Sequence, residues 1–299
     1  MGGCGAVEWR GRRESGNIED RRNSGGTRGS GGRRLSGTAS VGGGLGVLAI
    51  VVVGWFFGID LTPLLNGDPG GDGTTTQAEP LTEADQTAGQ FVAVVLGDTE
   101  AIWAGVFKDQ LGQTYRPVTL VLYKGVTRSP CGAASGATGP FYCPGDRKVY
   151  LDTAFFSTMA TELGARGDFA MAYVVAHEVG HHVQDALGIL GQANEMRAQV
   201  SEAESNDISV RIELQADCLA GIWARGVKEQ FGAIEAGDFE EAVNAARRIG
   251  DDTLQRNAGR VPMPESFTHG TSEQRSRWFQ IGLASGLLND CDTFSTAAP

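Results

Sequence analysis

The stretch YVVAHEVGHHVQDALG, Tyr173 to Gly188, holds three of the chain's four histidines and one glutamate inside an apolar run. Imidazoles set among Val174, Val175, Ala176 and Val183 need hydrogen-bond partners or a metal, because burying an unpartnered polar group is costly. On a helix, His177 and His181 are four residues apart and share a face, a spacing at which two imidazoles hold one zinc ion. Glu178 lies roughly 100° further round, close to such an ion without having to bind it, which completes the H-E-x-x-H arrangement. The bland alternative is a pair of core histidines bonded to backbone or water. His182 points elsewhere and is assigned a structural hydrogen bond.

A zinc ion with an open catalytic position wants a third protein ligand. Downstream, RIELQADCLAGIWARG (Arg211 to Gly226) reads as an amphipathic helix with Glu213 and Asp217 four apart on one face. Glu213 can be the third ligand. Asp217, one turn on, can accept a hydrogen bond from the distal nitrogen of a ligating histidine. The set His177, His181 and Glu213 therefore implies one Zn2+ per chain.

The elements that must carry these residues are mostly helices. A helix is predicted from Asp168, as N-cap, to a stop at Gly188, and mainly helical pattern continues to about Gly286. Before it, TEADQTAGQFVAVVL reads as a helix through Leu96, while Pro117–Val126 and Arg147–Phe156 read as short strands. The expected fold class is α+β, predominantly helical, with a small β-sheet.

The chain's net charge of −11 is uneven: eight arginines against four acids fall in the first forty residues, so the remainder is strongly acidic. An acidic body argues against nucleic acid as a partner, since phosphate binding needs a basic face. Residues 1–40, rich in Gly, Ser and Arg, read as a disordered tail. Residues 41–59, VGGGLGVLAIVVVGWFFGI, are uncharged and long enough for one transmembrane helix. Residues 60–80 read as a flexible linker and 81–299 as the metal-binding domain. By the positive-inside rule the tail is placed in the cytoplasm and the domain outside it, on a single-pass cell-membrane anchor.

Of five cysteines, four fall after the apolar segment, an even number suited to two disulfides in an oxidising compartment. Cys131 and Cys143 flank a Gly/Ala-rich loop and are expected to pair locally, leaving Cys218 and Cys291. Without a C-x-x-C spacing, a second zinc site is disfavoured.

HEVGH followed by ELQAD is similar to the gluzincin arrangement, in which an E-x-x-x-D helix supplies the third zinc ligand. SPCGAASGATGPFYCPGDRKVYLD, AHEVGHHVQ, ELQADCLAGIWA and SFTHGTSEQRSRWF together resemble the neutral zinc metallopeptidase family of bacterial single-span membrane proteins. The resemblance implies a zincin-like endopeptidase domain in which Glu178 is the general base toward a zinc-activated water, acting on a peptide or protein substrate. His269 and Arg275, spaced as in integral-membrane CAAX-type zinc peptidases, would assist the transition state, with Arg277 an alternative to Arg275. Peptidases of this class bind substrate as an added strand, for which Lys148–Asp152 is the candidate edge. The competing function is a catalytically silent zinc-binding module that holds a peptide or protein partner at the membrane. Oligomeric state is left open.

Overall fold

The computed structural model describes residues 9–23 and 80–299, apart from 136–138, 162–163, 166, 235–236 and 297–298. The expected spans at 41–59 and 60–80 lie outside the described residues, save Pro80. The described chain is a mostly helical α+β fold.

In chain order, strand β1 (Ile18–Asp20) precedes helix α1 (Glu83–Val106), which closes in a π-helical turn, Phe107–Leu111. Strands β2 (Thr119–Tyr123), β3 (Val126–Ser129), β4 (Gly132–Ser135), β5 (Phe141–Cys143) and β6 (Lys148–Asp152) follow. Then come α2 (Phe155–Thr161), α3 (Asp168–Ala186), α4 (Ile189–Arg197), α5 (Glu202–Phe231), α6 (Asp238–Arg248), α7 (Asp251–Asn257) and α8 (Ser272–Ser285).

The main sheet runs β1-β2-β6-β5, the first three parallel and β5 antiparallel to β6. Parallel strands covered on both faces read as continuous apolar runs, as Leu120 to Tyr123 does. One face, with Leu120, Leu122, Val149 and Leu151, joins the helices in the main core. The other face buries Val121, Tyr123 and Tyr150 against Cys143 and Ala134 of the β3–β4 side.

Helix α1 starts at a capping box between Thr82 and Asp85 and runs ten residues past the expected end at Leu96. Gly97 looks like a stop but answers a close approach: a Cβ there would stand 2.6 Å from the Arg13 carbonyl oxygen. The helix is apolar and long enough to pass for a membrane span, yet most of that window is buried in the protein. Helix α5 starts at a second capping box, Ser201 with Glu204, and stops at left-handed Gly232. It packs on α8 with backbones nearly touching, since a Cβ at Gly282 would collide with the Cys218 carbonyl. Both disulfides form, Cys131–Cys143 and Cys218–Cys291.

Two expectations are overturned. Residues 9–23 are not a disordered tail: β1 is an edge of the sheet, Trp9 packs edge-on to Phe91, and Arg12 and Arg13 pair with Asp98 and Glu100. The arginines that made this segment look unfoldable find their carboxylates on α1. Second, Lys148–Asp152 is an interior strand, because β2 and β5 pair with its two edges.

Candidate metal centre

Helices α3 and α5 cross so that His177, His181 and Glu213 converge. Glu213 stands 3.2 Å from His177 Nε2 and 3.5 Å from His181 Nε2, measured from its two carboxylate oxygens. One ligand atom from each of the three residues lies within 4.8 Å of the others. Bonds of about 2.0–2.2 Å around a tetrahedral zinc give ligand–ligand edges of roughly 3.3–3.6 Å, and two imidazoles with a carboxylate gathered this closely are a donor set of the kind zinc takes.

The histidines are held from behind. The Nδ1 of His177 donates to Asp217 Oδ1 at 2.9 Å, which directs Nε2 toward Glu213. Asp217, wholly buried, also accepts from the Tyr173 hydroxyl and from two guanidinium nitrogens of Arg275, at 2.8 and 3.0 Å. On the other ligand, His181 Nδ1 meets Gln184 Oε1 at 2.8 Å. Gln184 Nε2 donates to Ile212 O and to Gln215 Oε1, and Gln215 Nε2 donates to the Cys291 carbonyl. Such outer partners fix the ring orientation of a ligating histidine and raise its basicity.

Glu178 is buried beside this group, and burial pushes its carboxyl above the ordinary glutamate value, against the pull of His181 and His177. Burial also opposes ionisation of Glu213, but His181, His177 and His269 outweigh it and hold that carboxylate well below its usual range. The two carboxyls are thus pushed in opposite directions, Glu213 toward its anion and Glu178 toward its protonated form.

His269 sits on the loop before α8, close enough to Glu213 to feel its charge. Its Nδ1 lies 3.2 Å from Asp251 Oδ1. The other Asp251 oxygen accepts the backbone N–H groups of Thr268, His269 and Gly270 at 2.6 to 3.0 Å.

Arg275 is 2% exposed and paired with Asp217 behind His177, so it bears on the histidine ring through that carboxylate. Arg277 is exposed on α8. His182 packs between Tyr115 and Tyr142 and donates from Nε2 to the Arg116 carbonyl, a structural role. Sequence reasoning missed Gln184, Tyr173, Gln215 and Asp251. Gln184 carried a usable signal, lying three residues after His181 on the same face. Asp251 carried none, since its partners lie 17 to 19 residues away across a loop.

The sheet edge nearest the metal helix is β5, whose Tyr142 hydroxyl donates to Asp185 of α3. Its outer side bears no strand among the described residues.

No solved structure matches this chain. It is 48% identical to the Uncharacterized protein YpfJ of Escherichia coli K12, over 96% of this chain and 99% of that protein. It is 40% identical to the Uncharacterized protein Rv2575 of Mycobacterium tuberculosis H37Rv, over 78% of this chain and 85% of that one. The family model described as "Putative neutral zinc metallopeptidase" matches residues 7–294, and the chain belongs to that family.

Proposed function

We propose that this protein is a zinc-dependent endopeptidase with a zincin-like active site, in which His177, His181 and Glu213 hold the ion and Glu178 is the general base. The carrying observation is the placement of a buried Glu178 beside three donors gathered within 4.8 Å of one another. A zinc ion held there supplies Lewis acidity and makes water acidic enough to react at neutral pH.

The chain's own residues do the rest. Glu178, with its raised proton affinity, takes a proton from the attacking water and passes it to the leaving amine. His269, oriented by Asp251, is the donor available for the developing oxyanion. An extended peptide lies along the free side of β5, held by main-chain hydrogen bonds, a role that passes to Phe141–Cys143 from the interior strand β6.

The deciding experiment combines metal analysis with a peptide-library cleavage assay on wild type, Glu178→Gln and Glu213→Ala. The expected outcome is about one zinc per chain in wild type and Glu178→Gln, cleavage in wild type alone, and loss of tight zinc binding in Glu213→Ala. Undiminished cleavage by Glu178→Gln would remove the general base. Zinc bound at wild-type affinity by Glu213→Ala would remove the third ligand.

A further inference from the structure

We propose that the segment before the apolar stretch and the metal-binding domain after it lie on one and the same side of any membrane that the chain meets. This holds whatever reaction the metal site runs.

The N-terminal segment is built into the fold. In β1, Ile18, Glu19 and Asp20 stand opposite Leu120, Val121 and Leu122 of β2. The Leu120 N–H donates to Asn17 O at 2.9 Å, the Arg21 N–H to Leu122 O at 2.7 Å, and the Ser15 N–H to Ala93 O at 2.8 Å. Side chains continue the seam: Arg12 pairs with Asp98 at 2.7 Å, Arg13 with Glu100 at 2.8 Å, and Lys148 with Glu19 at 2.7 Å. Asn17 and Ser15 also donate to Glu100. Asp98 and Glu100 are 5% and 9% exposed, so the carboxylates of a core helix depend on this segment for their cations.

A single crossing would separate these partners by a hydrocarbon layer about 30 Å thick. To rejoin them, residues 24–40 or 60–79 would have to pass back through it. The first carries Arg28, Arg33 and Arg34, the second Asp60, Asp68, Asp72 and Glu79. Charged side chains and irregular backbone are both excluded from contact with lipid tails.

The positive charge available to hold a cytoplasmic tail is also smaller than the arginine count. Of the eight arginines counted toward the positive-inside rule, Arg12, Arg13, Arg21 and Arg22 are engaged with Asp98, Glu100, Glu19 and Asp20. They stabilise the fold and are no longer free topological signals. The family match begins at residue 7, so this segment is part of what the family shares.

Cysteine labelling of the full-length chain tests the proposal. In a Cys4→Ser background, Asn23→Cys and, separately, Gln230→Cys are exposed to a membrane-impermeant maleimide in intact spheroplasts and in inverted vesicles. Both positions are solvent-exposed in the fold, so only a membrane shields them. The two are expected to react in the same preparation, with extents within about twofold of one another, and both to react after detergent. Reaction of one in spheroplasts and of the other only in inverted vesicles would overturn the shared face.

Discussion

Asp251 makes a loop into a fixed donor. By gathering the N–H groups of Thr268, His269 and Gly270 on one oxygen and facing His269 Nδ1 with the other, it fixes both the backbone and the ring. Burial disfavours the imidazolium, but the Asp251 hydrogen bond and the Glu213 charge outweigh it, so His269 holds its proton to higher pH than an ordinary histidine. If the protonated ring assists the reaction, activity falls as pH rises through that raised value. Asp251→Asn removes the charge but not the His269 ring, so the alkaline loss should begin at lower pH and kcat should fall by no more than the about 100- to 1,000-fold of a lost oxyanion donor. Metal content should not change. A pH–rate profile with parallel zinc analysis checks this, and loss of metal together with activity would make Asp251 a purely structural residue. The contrast with His177 and His181 shows what single residues disclose. Their four-residue spacing is visible in the sequence, whereas Asp251 acts across a loop that no helical period spans.

At the scale of elements, the site depends on how α5 is held. Cys218 on α5 is bonded to Cys291, while the Cys291 carbonyl anchors Gln215, which anchors Gln184, which orients His181. One crosslink thus bears on the crossing of the two metal helices as well as on stability. Its sequence separation of 73 corresponds to about 4 kcal/mol by loop-closure entropy. The double variant Cys218→Ser/Cys291→Ser should lose stability of that order in denaturant titrations. It should also release zinc to a competing chelator more readily, by about 10-fold, as other outer-sphere losses do. Removing Cys131 and Cys143, which close a loop in the β3–β5 region, should leave zinc affinity unchanged. Equal effects from the two pairs would mean that the relay through Gln215 carries nothing to the metal. These helices were legible from their apolar period and caps. The strand order was not, because the assignment of β6 to an edge depended on what lay beside it, and β1 comes from a distant part of the chain.

The whole molecule is closed by its first described residues, which composition alone had assigned to disorder. Eight arginines among glycines and serines look unable to build a core, and locally that is correct. The partners, Asp98 and Glu100, lie some 85 residues away, and only tertiary structure brings them together. Deletion of residues 1–23 should therefore lower the melting temperature, and a synthetic peptide spanning residues 8–24 should restore it in trans. The pH dependence has a definite sign. Burial pushes the Asp98 carboxyl up to about 7 even with Arg12 and Arg13 beside it, so this group costs stability as pH rises from its ordinary 3.8 toward 7. Arg12→Gln leaves the carboxyl covered but takes its cation away, so its proton affinity rises further and the cost keeps growing above pH 7, where the intact protein has already reached its limit. The gap in melting temperature between the intact protein and Arg12→Gln should accordingly widen from pH 6 to pH 8, and Asp98→Asn in the Arg12→Gln chain should remove the widening. A truncated chain that melts with the intact one at both pH values would return residues 9–23 to the disordered tail that their composition suggested.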